Sequence, residues 1–267
     1  MSFAGSFHGR TFGALAATDR PDQQRPFEPL AGGFRCLPWN DEAALAAIDE
    51  GTAAVIVEPI QGEGGIRVPA PGWLAALRRR CDAVGALLVF DEVQCGLGRT
   101  GKLWAHQTYG AEPDLMTLAK PLAGGLPMGA VLMTAKVAQT ITPGCHATTF
   151  GGGPLVSTVA LAVLETVSKP EFLRQVRERG RQLRTLLHQL PGPPVREVRG
   201  RGLFVGVRLA VPPKAVVDAA LDRGLLLVAA GDDVVRLLPH LDVELEQLEL
   251  AVELLGQSLD RVMREVA

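Results

Sequence analysis

Two apolar runs, Ala53–Val57 and Leu87–Phe90, stand on either side of a helical pattern from Trp73 to Val84. This arrangement constrains the fold more than any other feature of the chain. Each run is too short for a helix and is bounded by glycine, proline or acidic residues, so each reads as a buried strand. In the segment between them Leu74 and Leu77 share one face, and Arg78–Arg80 are left available to water. Strand, helix and strand in succession imply a right-handed crossover and an α/β sheet whose working residues gather at the C-terminal ends of its strands. Two further runs, Leu115–Ala119 and Gly129–Met133, read as additional parallel strands.

After Pro154 the pattern changes. Helical periodicity continues to about Leu190, interrupted at Ser168-Lys169-Pro170, where proline cannot extend the hydrogen-bond ladder. Pro191-Gly192-Pro193-Pro194 marks a boundary. Beyond it lie strand-like Val198–Leu209, a helix around Lys214–Asp222, strand-like Leu225–Val228 and Val234–Leu238, and a last amphipathic helix from about Val243. The expectation is a large α/β domain over residues 1–165, followed by an interdomain helix and a small α+β domain over residues 166–267. With 267 residues, 47% of them hydrophobic, the chain has apolar material for both.

Bulk properties exclude several classes of function. A net charge of −2 without any Lys/Arg block argues against nucleic acid or an anionic membrane as partner. No apolar run approaches the roughly 18 residues of a membrane helix. Cys36, Cys81, Cys95 and Cys145 form no CxxC pair, which fits neither a zinc site nor a disulfide framework and suggests reduced thiols in an intracellular compartment.

The chemistry centres on Asp91, which ends a buried strand, with Gln94 following it. The string Gly96-Leu97-Gly98-Arg99-Thr100-Gly101-Lys102 contains a phosphate-loop pattern, but Leu103 stands where a magnesium-binding Ser or Thr belongs. The same glycines spell a dinucleotide fingerprint, yet Asp91–Cys95 intervene between strand and glycines, and Glu112 comes too soon for the ribose acid. An acid merely exposed at a strand end remains the plain alternative. A third reading is pyridoxal phosphate, which needs a carboxylate for its ring nitrogen, a donor to its phenolic oxygen, a lysine for covalent attachment and a cradle for its phosphate. Lys120 ends the next strand, so its amine would emerge on the sheet edge that carries Asp91.

Five segments in order, "SFHGRTFGAL", "VEPIQGEGGI", "LLVFDEVQCGLGRTGKLWA", "PDLMTLAKPLAGGLPMGAVL" and "TTFGGGPL", resemble successive motifs of the class III aminotransferases. Their spacing is most similar to the acetylornithine branch, in wording close to plant and algal members. The resemblance implies the type I fold of pyridoxal-phosphate-dependent transferases: a mixed, mostly parallel sheet in the large domain and a small C-terminal α+β domain. It implies that Phe7 stacks on the cofactor ring, Asp91 holds the ring nitrogen, Gln94 reaches the phenolic oxygen, and Lys120 carries the cofactor and then shuttles the proton. Thr149 would bind the phosphate of the neighbouring subunit's cofactor, which implies a homodimer, and Thr148 would touch substrate. Arg10 would clamp the α-carboxylate of an acetylornithine-like donor. Arg236 would clamp that of glutamate, with Glu63 masking Arg236 in the other half-reaction.

The implied reaction transfers the distal amine of N-acetylornithine to 2-oxoglutarate, a step of arginine synthesis. Ornithine or another ω-amine is the nearest alternative donor, and a catalytically silent chain is the alternative of another class. The acid-poor start, whose first acid is Asp19, resembles a transit peptide, but Phe7, His8, Gly9 and Arg10 belong to the catalytic pattern. The compartment stays open between cytoplasm, plastid and mitochondrial matrix. The family's N-terminal segment, with its Ser-Gly-Thr type phosphate loop, has no counterpart ahead of Met1, so the sequence reads as a fragment. Gly153 stands in place of a usual Asn or Ser, and His240 in place of a usual Pro.

Overall fold

The computed structural model describes residues 1–190, 192 and 194–266. Pro191 and Pro193, which belong to the expected boundary segment, lie outside the described residues. The chain opens on strand β1 (Ser2–Phe3), helices α1 (Phe12–Ala17) and α2 (Pro21–Gln24), and strand β2 (Cys36–Leu37), which pairs in parallel with β1. It then enters the main sheet at β3 (Ala54–Val57), crosses over through α3 (Trp73–Val84) to β4 (Leu87–Asp91), and continues to β5 (Leu115–Leu118) and β6 (Ala130–Met133). The sheet order is β3-β4-β5-β6.

Helix α3 matches the sequence expectation from end to end. It stops where Gly85 adopts a left-handed conformation and returns its N–H to the Cys81 carbonyl. Trp73, Leu74, Leu77 and Cys81 form its buried face against Val55, Val57, Leu88 and Phe90. The rings of Phe3, Trp39 and Trp73 close this core, with Trp39 and Trp73 centroids 4.7 Å apart and Phe3 edge-on to Trp73 at 5.0 Å. The arginines of α3 behave differently from expectation, since only Arg79 is exposed. Arg78 reaches Asp82 and Asp114, each at 2.7 Å, and Arg80 donates to the Ile48 carbonyl at 2.7 Å. A carboxylate and a free carbonyl at the sheet margin draw these side chains inward.

The expectation that all four runs are parallel is corrected at the last one. Strands β3, β4 and β5 are parallel, but β6 runs antiparallel to β5, with Leu115 opposite Met133 and Leu118 opposite Ala130. The connection, residues 119–129, contains no helix. A parallel return needs a crossover of about a dozen residues or more, usually helical, and a shorter turn brings the chain back beside itself. Nor is β6 buried: Val131 and Leu132 are both exposed.

Helices α4 (Ala135–Ala138), α5 (Pro154–Val167) and α6 (Pro170–His188) follow, with the break at Pro170 as expected. Then come β7 (Val195–Arg201), β8 (Phe204–Leu209), α7 (Pro213–Leu221), β9 (Val228–Ala230), β10 (Val234–Leu237) and α8 (Leu245–Val266). The second sheet, ordered β7-β8-β10-β9, is antiparallel throughout. Helix α6 buries Val176, Gly180, Leu183 and Leu187, a stripe at helical spacing, in a core with Val205, Val207, Val216, Val235, Leu255 and Leu259. The strand-like Val198–Leu209 is in fact a hairpin that turns at Gly202, where φ is +54°. The strand expected from Leu225 begins at Val228.

The glycine string opens no helix. It lies between the main sheet and the second one, packed on the hairpin turn. Leu203 N donates to Arg99 O at 3.0 Å, and the Arg99 guanidinium donates to the carbonyls of Leu203 and Pro239. Arg177 of α6 donates to Gly101 O at 2.6 Å. Among the described residues no helix is long and apolar enough to cross a membrane.

Candidate active site

Parallel register sets the site. Val57 is opposite Phe90, and Asp91 is opposite Thr117, so Glu58, Asp91 and Lys120 all emerge at the C-terminal edge of β3, β4 and β5. A cavity of about 110 Å³ opens there, lined by Phe7, His8, Gly9, Glu58, Glu63, Asp91, Val93, Gln94 and Lys120. Lys120 is exposed at its rim and Asp91 is buried at its base.

Every oxygen of Asp91 is engaged. His8 Nδ1 lies 2.8 Å from Oδ2, while Oδ1 accepts from Thr117 Oγ1 at 3.2 Å and from Val93 N at 3.1 Å. The carboxylate is thus held in one orientation with its charge facing the cavity. The His8 side chain is 1% exposed, and its Nε2 has no hydrogen-bond partner among the described residues. Close by, Glu58 spans two loops: Oε1 accepts from Phe7 N at 3.0 Å and Oε2 from Gly62 N at 2.8 Å. Burial pushes the Glu58 carboxyl up to about 7; the charge on Asp91 adds to the rise, while His8 and the two backbone N–H groups oppose it.

The second cluster joins the two sheets. Arg236 of β10 is buried and donates through Nη1 to Glu63 Oε1 at 2.6 Å and to Gln94 Oε1 at 2.9 Å. Gln94 Nε2 donates to the same Glu63 oxygen at 3.1 Å. Burial alone would raise the Glu63 carboxyl, but the hydrogen bonds from Arg236 and Gln94 outweigh it and hold the group below its ordinary value. Arg236 Nε is buried without a partner among the described residues, so one edge of the guanidinium makes no contact with them.

Of the residues singled out from sequence, Phe7, Glu63, Asp91, Gln94 and Lys120 share the cavity, and Arg236 joins them through Glu63. Arg10 is exposed, its guanidinium carbon 6.0 Å from the Phe7 ring centre. Thr148 and Thr149 sit in the exposed loop before α5, where the Thr148 hydroxyl accepts from Gly151 N at 3.1 Å, and neither lines this cavity. Gln94 lies in the cavity with its amide between two charged side chains. The amide N–H points to Glu63 and the amide oxygen to Arg236, each meeting the charge that suits it. Two further residues line the cavity: Glu58, which the sequence reading did not single out, and His8, which it placed in the first motif without a contact of its own. A signal existed: two adjacent buried runs each end in an acid, Val57 followed by Glu58 and Phe90 by Asp91.

The family model for class III aminotransferases matches residues 1–259, and the chain belongs to that family. Among curated relatives, the mitochondrial acetylornithine aminotransferase of Alnus glutinosa is 52% identical over 99% of this chain, which covers 60% of that enzyme. The acetylornithine aminotransferase of Rhodobacter capsulatus is 47% identical over 94% of the chain and 65% of its own length. This chain therefore spans somewhat less than two thirds of the relatives it matches. Among solved structures, the ornithine aminotransferase of Toxoplasma gondii superposes with a TM-score of 0.92 at 33% identity, over 99% of this chain and 65% of that one. The N-acetylornithine aminotransferase of Stenotrophomonas maltophilia gives a TM-score of 0.83 at 35% identity, over 99% and 66%. The fold is accordingly the type I transferase fold of this family.

Proposed function

We propose that this chain forms the amine-transferring site of an acetylornithine:2-oxoglutarate aminotransferase with pyridoxal phosphate as cofactor. One observation carries the reading: a buried, oriented carboxylate and a lysine amine line one cavity, and a carboxylate-masked arginine stands beside it. The residues present suit the cofactor. Phe7 offers a ring face, Asp91 an acceptor for a protonated ring nitrogen, and Lys120 a primary amine within the same cavity. When bound, the cofactor supplies an electron sink next to the carbon that loses its proton. Lys120 holds the cofactor and moves that proton at Nζ. Thr149 serves the phosphate of a second subunit's cofactor in a homodimer that shares its sites, with Thr148 beside the substrate. The regions on either side of residue 165 act as large and small domains.

Two amines must bind in opposite senses. Arg10 clamps the α-carboxylate of the donor, and Glu63 occupies Arg236 so that no second carboxylate is demanded. Glutamate, with two carboxylates, displaces Glu63 and takes Arg236, whose planar fork matches a carboxylate in two contacts. The names of the curated relatives favour acetylornithine as donor. Ornithine is the second reading, favoured by the TM-score of 0.92 to the Toxoplasma ornithine aminotransferase.

The test is borohydride reduction of the purified protein loaded with pyridoxal phosphate, followed by peptide mapping, together with glutamate release from N-acetylornithine and 2-oxoglutarate. A pyridoxyl label on Lys120 is expected. A label on Lys102 or Lys136 instead overturns the assignment.

A further inference from the structure

Gln94 has more contacts in the Glu63–Arg236 pair than an ion pair alone requires. Its amide nitrogen donates to Glu63 Oε1 at 3.1 Å, and its amide oxygen accepts from Arg236 Nη1 at 2.9 Å. The amide therefore bonds both members of the pair at once, with its dipole aligned to both charges. Space is made for it: a Cβ on Gly62 would lie 1.8 Å from Gln94 Oε1 and 2.5 Å from Cδ. Gly62 does not have a positive φ, so its backbone alone does not demand glycine. What a side chain there would displace is the Gln94 amide from its seat.

We propose that Gln94 is a positioning residue for substrate choice: it latches Glu63 onto Arg236 and so sets how readily a dicarboxylate can open the site. The inference rests on the reading of Arg236 as a dicarboxylate clamp. On that reading an entering carboxylate displaces Glu63 from Arg236 Nη1, the donor that Gln94 also engages, and so breaks the contacts that Gln94 makes with the pair. A chain without the amide keeps the ion pair but loses two hydrogen bonds to charged groups from the closed arrangement only. Opening becomes easier, and the balance shifts from donors with a single α-carboxylate towards glutamate-like ligands. The effect reaches the ligand through Glu63 and Arg236 and does not require Gln94 to touch it.

Glutarate, a dicarboxylate without an amine, is the probe, titrated calorimetrically into the cofactor-loaded protein. Gln94→Leu should tighten glutarate by about tenfold, equivalent to about 1.4 kcal/mol. Gly62→Ala should shift binding in the same direction, because it unseats the Gln94 amide without replacing any residue of the cluster. In a Glu63→Ala background the gain from Gln94→Leu should vanish, since nothing is left to latch. If Gln94→Leu weakens glutarate, or changes it equally with and without Glu63, Gln94 acts directly on the ligand or the cofactor and the latch is refuted. Arg236→Ala separates the two levels: full glutarate affinity in that variant refutes the clamp and the latch together, whereas its loss with no Gln94 effect refutes the latch alone.

Discussion

Replacing Glu58 by glutamine removes a titratable group from the cavity wall while keeping its shape. Burial raises the Glu58 carboxyl from 4.5 to about 7. Between those values the folded chain holds a proton that the unfolded chain has released, so the folded state loses stability as pH rises through this window. The loss approaches 1.4 kcal/mol per pH unit and amounts to roughly 3 kcal/mol by pH 8. Glutamine carries no charge at any pH, but its NH₂ faces one of the two backbone N–H groups that the carboxyl accepts, from Phe7 or Gly62. That mismatch costs about 1–3 kcal/mol. At pH 5 the wild type should be the more stable of the two, and at pH 8 the glutamine variant should equal or exceed it. Urea unfolding followed by the fluorescence of the three tryptophans, from pH 5 to pH 8.5, gives both midpoints. Midpoint curves that run parallel across this range would show that Glu58 does not hold its proton in the folded chain, and the reasoning would fail.

Arg10→Ala and Arg236→Ala should separate by half-reaction, the first impairing the acetylornithine step and the second the glutamate step, each losing a charged contact worth about 1.5–3 kcal/mol. Single-turnover measurements with each amine decide this, and equal damage to both steps by both variants refutes the two-clamp reading. Arg99→Leu should lower the melting temperature by about 5–10 °C in calorimetry, because the carbonyls of Leu203 and Pro239 lose a donor that joins the glycine string to the second sheet. An unchanged melting temperature would mean that this contact contributes nothing.

The legible parts of the chain were those fixed by local pattern. Helix α3 could be read to the residue because an apolar stripe at helical spacing ends at Gly85, and the break at Pro170 follows from a missing N–H. The direction of β6 could not be read from its own residues. Ala130–Met133 is as apolar as a parallel strand, and the deciding quantity was the length of the connection before it. The hairpin within Val198–Leu209 hides for a similar reason: Gly200 and Gly202 both read as strand interruptions, and only pairing shows which one turns the chain. At the site, residues with a familiar chemical role stood out, Lys120 and Asp91 first. His8, which orients Asp91, did not, because that contact crosses 83 positions of sequence; nor did the pairing of Gln94 with Arg236, which crosses 142. No local periodicity records such distances.

Where the glycine string, the hairpin turn and α6 meet, main chain lies directly on main chain. A Cβ at Gly180 would come within 2.1 Å of Gly202 O, and one at Gly202 within 2.6 Å of the Thr100 carbonyl carbon. Contacts of this kind have no compliant layer, since side chains that could change rotamer are absent from them. At these two glycines any added side chain would press α6, the hairpin and the glycine string apart. The Arg236 cluster is built otherwise: its members meet through side chains, among them the partly exposed Glu63, so rotamer freedom is kept there and withheld at the junction.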